Sequence, residues 1–373
     1  MHGALPVTHT WAPWELLSRT SADDRGRWTR LVSPLSVSVV VVTWNGLDLT
    51  LRCLESLRNQ RTDGLDVELI VVDNGSHDAT ADVVGTMGDV RLVALPTNTG
   101  FAGGVNAGIR ASTGDVVVLL NNDAVARPDF LRHLVAPFVG EEGARVGATT
   151  GRVILSGTFV RDDDAAAALV AHDGTRWARV PDGSGSSLLN STGNEVTTSG
   201  NGRDRDWLSP ADGPQAPSDV FGFNGGCAAL RRAALDDVGL LDDSLFMYYE
   251  DTDLSWRLRR RGWAVRHVHD AVTVHDHAAS SGVASPFFLD HNERNRLLVA
   301  LTHAPWGVVL RAAARSGARV VLGPDRARRA RALLAVTARA PQAVRRRREI
   351  DQSATVRRSV PSALLVPESR RVR

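Results

Sequence analysis

From Gly114 to Asp123 the chain reads Gly-Asp-Val-Val-Val-Leu-Leu-Asn-Asn-Asp. Five consecutive apolar residues, three of them β-branched, predict a short strand buried on both faces, of the kind found inside a parallel sheet. The run then turns polar at Asn121, Asn122 and Asp123, and Pro128 opens a helical pattern. In open α/β sheets, ligands bind just beyond the carboxyl ends of strands. One carboxylate and two amides placed there suit a hard divalent cation and the phosphates it neutralises. The same residues also suit a helix cap, which Asp and Asn often form. The stretch alone leaves both readings open.

The preceding residues repeat this plan. Ser36 to Thr43 predicts a first buried strand with the turn Trp44-Asn45-Gly46 behind it, and leucines at 47, 51, 54 and 57 give Leu47 to Asn59 one apolar helical face. A second strand, Val67 to Val72, ends in Asp73-Asn74-Gly75-Ser76, and Asp78 to Val84 reads as a helix. Val90 to Leu95 is a third strand, followed by the glycine-rich run from Asn98 through Gly100, Phe101, Gly104 and Asn106 to Gly108. Strands alternating with helices predict an α/β fold with a doubly wound parallel sheet. Each strand ends in a polar or glycine-rich turn, and together these turns line one rim where a nucleotide fits. Singly, each has a plain alternative: Asn-Gly is a good turn without a ligand, and the glycines allow tight packing of helix on sheet. The spacing is not that of the dinucleotide-binding fingerprint.

From Leu155 to Ser218 periodicity fades among Asp162 to Asp164, a run of alanines, Gly183 to Ser187 and three prolines. This predicts an irregular, hairpin-bearing insertion on the rim of the sheet. Order resumes at Val220 with Phe-Gly-Phe-Asn-Gly-Gly-Cys-Ala-Ala-Leu and a helix from Arg232. Glu250, Asp251 and Asp253 stand where another helix begins, with Leu254 and Leu258 on its apolar face and Gly262 as its stop. Acids complement the dipole of a first helical turn, yet three of them directly behind an aromatic run exceed what a cap needs. Val265 to Val274 predicts an edge strand ending in His275-Asp276-His277, which is either a metal site or a plain strand end.

The 373 residues, 43% of them hydrophobic and 23% charged, are those of an ordinary globular chain with room for one large domain or two smaller ones. Cys53 and Cys227 stand far apart and form no metal or redox spacing, which fits a reducing compartment. No secretory signal pattern opens the chain and no apolar run approaches the ~20 residues that span a bilayer, so a cytoplasmic protein is expected. The net charge of +2 is unevenly spread. Beyond Arg311 arginines crowd the predicted amphipathic helices Val308 to Leu322 and Ala327 to Val344. Such helices suit peripheral contact with anionic lipid at the inner face of the membrane. Nucleic acid is disfavoured as a partner, because the basic run has no interleaved aromatic residues for stacking. The division expected is an N-terminal extension (1–35), a nucleotide-binding half (36–154), the insertion (155–218), an acceptor-binding half (219–310) and a basic helical extension (311–373).

Six ordered motifs between residues 36 and 300 resemble one family, the inverting family 2 glycosyltransferases of GT-A fold, and among them the bacterial rhamnosyltransferase type. These are Val-Val-Val-Val-Thr-Trp-Asn-Gly (39–46), Val-Val-Asp-Asn-Gly-Ser (71–76), Asn-Thr-Gly-Phe-Ala-Gly-Gly-Val-Asn (98–106), Leu-Leu-Asn-Asn-Asp-Ala (119–124), Phe-Asn-Gly-Gly-Cys-Ala (223–228) and Phe-Met-Tyr-Tyr-Glu-Asp-Thr-Asp-Leu (246–254). The resemblance implies a mostly parallel GT-A sheet flanked by helices. It implies donor contacts from Thr43, Asn45, Asp73, Asn98, Gly100, Phe101, Gly104, Asn106, Asn121 and Asn122. It implies a divalent cation, Mg2+ or Mn2+, on Asp123 and His275, with Asn121 replacing the first acid of the family's D-x-D turn. Asn224, Gly225, Gly226, Cys227 and Glu250 would border the acceptor and the transferred sugar, and Asp251 would be the general base.

The activity implied is inverting transfer from a nucleoside-diphosphate sugar, dTDP-rhamnose or a UDP-sugar, to a hydroxyl of a cell-envelope glycan or lipid-linked acceptor. A single in-line displacement needs one carboxylate to take the hydroxyl proton, and a Lewis acid on the departing diphosphate. A nucleotidyltransferase would carry a basic glycine-rich loop after its first strand, and Trp44-Asn45-Gly46 is not one. A processive synthase would show Gln-x-x-Arg-Trp and membrane spans. The alternative from another class is a non-catalytic sugar-nucleotide-binding or scaffold protein, against which Asp73, Asp123, Asp251 and His275 all speak.

Overall fold

The structure is a computed structural model that describes residues 34–165, 168–181, 183–276, 286–323 and 325–368. Nearly all of the expected N-terminal extension, with Trp11, Trp14 and Trp28, lies outside the described residues, as does His277. The first half alternates as expected: β1 (Leu35–Thr43), α1 (Leu47–Arg58), β2 (Leu65–Asp73), α2 (Thr80–Gly85), β3 (Val90–Ala94), α3 (Gly100–Ala111), β4 (Val116–Asn121), β5 (Ala124–Ala126), α4 (Phe130–Val135) and β6 (Val146–Leu155). The insertion then holds β7 (Thr158–Arg161), β8 (Leu169–Val170), β9 (Arg176–Val180), β10 (Leu189–Ser191), β11 (Asn194–Val196) and β12 (Gly202–Asp204). Last come β13 (Cys227–Arg231), α5 (Arg232–Val238), α6 (Glu250–Arg260), β14 (Ala264–His275), α7 (Pro286–His303), α8 (Trp306–Leu322), α9 (Arg326–Ser353) and α10 (Ser359–Ser362).

Strands β3, β2, β1 and β4 pair in parallel in that order, so their carboxyl ends share one rim. Beyond β4 the sheet is mixed: β13 runs antiparallel between β4 and β6, and β14 lies parallel to β6. The strand expected at an edge is therefore only partly one. Ala124 to Ala126 double back and pair with Thr273 to His275, which encloses the end of β14 beside the turn at Asp123.

Alternation sorts the valines onto two faces. Val37, Val39 and Val41 pack with Leu54 and Leu57 of α1 and with Phe130 of α4. Val40, Ile70, Val72, Val117 and Leu119 pack with Val105 and Ile109 of α3 and with Leu254 and Leu258 of α6. A buried leucine of this kind stabilises by roughly 1.5–3 kcal/mol, and burial on both faces accounts for the unbroken apolar runs. Helix α3 sits close on β1: a Cβ at Gly108 would lie 2.3 Å from Val40, and one at Gly104 2.7 Å from Val42.

The described part of the helical extension is packed on the rest of the chain. Val299, Val308 and Ala312 join Trp256 of α6 in a further cluster. Helix α9 runs through Pro341 to Ser353, past the expected end at Val344, because Ala343 and Arg347 are buried against its neighbours and packing outweighs local propensity. Residues 364–368 return to the insertion. Val366 N–H donates to the Val196 carbonyl (2.9 Å), the Val366 carbonyl accepts from Thr198 (2.8 Å), and Glu368 binds Ser199, Asn201 and Arg315.

Candidate active site

The turns after β1, β2 and β3 interlock. The Asn45 backbone N–H donates to Ser76 Oγ (2.8 Å), and Asn45 Oδ1 accepts from His77 N–H (2.7 Å), with Asn45 itself in the left-handed region (φ 51°). Asn74, read from sequence only as a turn residue, is the hub of this region. Its amide donates to Asn98 Oδ1 (3.2 Å) and the Gly100 carbonyl (2.9 Å) and accepts from Thr99 N–H (2.9 Å). Asp73 is 3% exposed; one carboxylate oxygen accepts from Ser76 N–H, and the other has no partner among the described residues. A buried, unsatisfied carboxylate oxygen is costly, and its position at a strand end fits a hydroxyl or amide of a nucleoside.

Behind β4, Asn122 Nδ2 donates to Thr43 Oγ1 (3.1 Å), and the Asn121 amide lies so close over Gly226 that a Cβ there would meet it at 2.7 Å. Asp123 Oδ1 faces His275 Nε2 at 2.9 Å, and both side chains are largely buried. Cis ligands of an octahedral Mg2+ at ~2.0–2.1 Å stand about 3 Å apart, so this pair fits a divalent cation. Among the described residues no group of three or more His, Cys, Asp or Glu is placed to hold a metal, so this pair would be the protein's own share of a cation's ligands. Burial works to lower the His275 pKa, but the hydrogen bond and charge of Asp123, with Asp204 and Asp276, outweigh it and hold the imidazole above its usual range. Asn190 Oδ1 lies 2.8 Å from His275 Nδ1 and fixes the ring.

Asp251 opens α6 as the sequence predicts. Its carboxylate accepts from Gly225 N–H (3.2 Å) and from Thr252 N–H (2.6 Å), and the Phe101 ring lies against Gly225. Burial, with a contribution from the Asp204 charge, pushes the Asp251 carboxyl up to about 6 against the hydrogen bonds from Gly225 and Thr252. Glu250 is pushed well above its usual range, by burial and by Asp251, and its Oε2 has no partner among the described residues. Asp204, from the insertion, accepts from Asn224 Nδ2 (2.7 Å) and lies within electrostatic reach of both Asp251 and His275. The third acid of the motif does structural work. Asp253 binds Arg257 (2.8 Å), His303 (2.7 Å) and Arg346 (3.1 Å), and Arg257 and His303 overcome its burial to draw the carboxyl down to about 2.

Three residues expected at the site are turned elsewhere. The Asn106 amide is spent on Leu241, donating to its carbonyl (2.9 Å) and accepting from its N–H (3.0 Å), and on Asp243. Gly104 serves the packing of α3 on β1. Cys227 is 1% exposed and its thiol meets Thr273 and Gly151 in the core, where burial pushes it up to about 11. Gly100 has a role of its own. It stands at φ +77° with the Phe246 carbonyl 2.2 Å from where a Cβ would be, so the loop before the Glu250–Asp251 pair rests on the glycine-rich turn.

The turns behind β1 to β4, the Asp123–His275 pair and the Asp251 carboxylate stand on a sheet of GT-A type. The fold is similar to that of the crystal structure of GalNAc-T7 with UDP, GalNAc and Mn2+, with a TM-score of 0.57, at 17% identity over 81% of this chain and 55% of that one. Residues 38–239, more than half of the chain, match the family described as Glycosyl transferase family 2, and the chain belongs to that family. Among its relatives, N-acetylglucosaminyl-diphospho-decaprenol L-rhamnosyltransferase of Mycobacterium tuberculosis (strain ATCC 25618 / H37Rv) is 28% identical over 266 residues, 64% of this chain and 76% of that protein. Succinoglycan biosynthesis protein ExoO of Rhizobium meliloti (strain 1021) is 42% identical over 101 residues, which span 26% of this chain and 28% of ExoO.

Proposed function

We propose that this glycosyltransferase moves a sugar from a nucleoside-diphosphate sugar, dTDP-rhamnose or a UDP-sugar, to a hydroxyl of a cell-envelope glycan or lipid-linked acceptor, with inversion. The observation that carries this reading is the Asp251 carboxylate, raised to about 6 and oriented by Gly225 N–H, on the rim that also bears the Asp123–His275 pair. The named activity of the mycobacterial relative supports the choice of rhamnose and of a lipid-linked acceptor.

Asp73 and the turn around Asn45 and Asn98 hold the nucleoside. Asp251 takes the proton of the acceptor hydroxyl as its oxygen bonds to the anomeric carbon and the bond to the diphosphate breaks, and a base near neutrality suits this step. Glu250, whose Oε2 has no partner among the described residues, is free to hydrogen-bond the sugar. Asp123 and His275 would hold Mg2+ or Mn2+, which when bound neutralises charge on the leaving diphosphate. Peripheral contact with an anionic membrane belongs to the same reading. It is supported by the open face of α8, where Trp306, Leu310, Val321 and Leu322 are 55–81% exposed, and by the arginines of α9; no helix among the described residues is long and apolar enough to cross a membrane.

A thermal-shift panel of UDP, dTDP, GDP and CMP, each with and without Mn2+, tests the reading, since a ligand of the folded state raises its melting temperature. One nucleoside diphosphate giving a Mn2+-dependent shift is expected; no shift from any of them would overturn the donor site.

A further inference from the structure

The segment that delivers Glu250 and Asp251 into the site is backbone in a conformation that L-residues avoid. Phe246 (φ 67°), Tyr248 (φ 71°) and Tyr249 (φ 73°) are all left-handed and none is glycine. At Phe246, ψ is −60° and Met247 N–H donates back to the Leu245 carbonyl (2.8 Å), a γ-turn of the rare, strained sign. Each such residue costs of order 1–3 kcal/mol and persists only where its surroundings over-determine it. Here one side chain does most of the determining. Asn295 of α7 is 0% exposed, and its Nδ2 faces the carbonyls of Leu245 (2.9 Å), Met247 (2.9 Å) and Tyr248 (2.8 Å). Its Oδ1 is held by Arg294 Nε (2.9 Å), and Arg294 Nη2 adds a second bond to the Leu245 carbonyl (3.0 Å). An amide nitrogen has two N–H groups, so three carbonyls share two protons, an arrangement that only a tight reverse loop can present.

We propose that Asn295 is a positioning residue for transfer: it clamps the left-handed loop 245–249 and thereby sets the aim of the Asp251 carboxylate. The proposal rests on the reading of Asp251 as the base. The loop also touches the donor side, because the Phe246 carbonyl accepts from Ala102 N–H (3.2 Å). Asn295 itself touches neither sugar nor phosphate, and acts through the backbone it holds.

The test compares the full chain with Asn295→Ala, with Asn295→Leu, which keeps the volume and loses the N–H groups, and with Asn295→Ala/Tyr248→Gly. Amide hydrogen exchange is read at 246–252 and, as an internal control, at Val39–Val41 and Val117–Leu119. Turnover is read as nucleoside diphosphate released from dTDP-rhamnose or UDP-glucose with Mn2+ and a lipid-linked sugar as hydroxyl acceptor, less the release without acceptor. Exchange in the loop is expected to rise, and kcat to fall, by about tenfold or more, the equivalent of one strong hydrogen bond, with the control strands and the donor KM unchanged. Adding Tyr248→Gly is expected to recover part of kcat, since glycine takes positive φ at no steric cost; a side chain that only filled the core would not be rescued this way. Loop exchange unchanged in both single variants, or no recovery on adding the glycine, overturns the clamp. Retained turnover in Asp251→Asn would instead overturn the base and leave the exchange result standing.

Discussion

Replacing Asp251 by asparagine should stop transfer and at the same time make the protein more stable. The ionised carboxylate is held in an unfavourable place. Its pKa stands near 6 where 3.8 is ordinary, and at 1.36 kcal/mol per pH unit that difference amounts to about 3 kcal/mol against the folded state above pH 7. A raised carboxyl favours folding at low pH and withdraws that favour as pH climbs through 3.8 to 6. The neutral amide escapes the penalty but presents an N–H2 to one of its two backbone donors, most simply Gly225 N–H, and losing that bond costs about 1 kcal/mol. The net gain is then about 2 kcal/mol at pH 8, less than about 1 kcal/mol at pH 5, and reversed below about pH 4.5. With an unfolding entropy of ~2.1 cal/mol/K per residue over 373 residues, a gain of that size raises the melting temperature by roughly 2–3 °C. Thermal melts of both proteins at pH 8 and pH 5, beside nucleoside diphosphate release at pH 8, measure all of this. A variant less stable than its parent at pH 8 would refute the argument, because the carboxylate would then be a structural anchor and not a strained base.

Three further outcomes follow from the same geometry. Turnover should fall about tenfold between pH 7 and pH 5 as Asp251 takes up its proton, and in Asp204→Asn the acid limb should move to lower pH, because one of the charges that raises Asp251 is gone; a pH–rate profile decides. Asp123→Ala and His275→Ala should each abolish the Mn2+-dependent part of the nucleotide thermal shift while leaving any metal-independent part in place, as titration with a chelator would also do. Asp253→Asn, two residues from the base, should have the opposite sign to Asp251→Asn. Removing the shared partner of Arg257, His303 and Arg346 strands buried charge and costs about 3–5 kcal/mol, and a loss under about 1 kcal/mol by urea unfolding would refute the assignment.

The parts of this molecule that were legible in its sequence are those with local causes. Strands β1, β2 and β4 carry the apolar runs Val39–Val42, Ile70–Val72 and Val116–Leu120 because both faces are covered there, and α6 begins at Glu250 and stops before Gly262, which takes φ +79°. What was not legible arises from contacts between residues far apart. Asn190 reaches His275 across 85 positions, and both it and Asp204 come from an insertion whose short strands show no period. Asn106 looks like a ligand because it closes the family-like motif 98–106, yet its partner Leu241 stands 135 residues away. Asn295 is one polar residue in a helix that gives no sign, from its own neighbours, of the carbonyls it will meet.

The return of residues 364–368 to the β11–β12 hairpin also sets an order of assembly. That hairpin carries Asp204, and its neighbour in the rim carries Asn224. The strands of the sheet are complete in the growing chain by His275, whereas Val366 and Glu368 emerge some 160 residues after the hairpin they secure. At synthesis rates of ~5–20 residues per second this is a delay of roughly 10–30 s. During it the sheet can already be folded while the hairpin that carries Asp204 is still unsecured. The part of the rim that Asp204 and Asn224 form would thus be the last to settle, once translation has passed the last stitch.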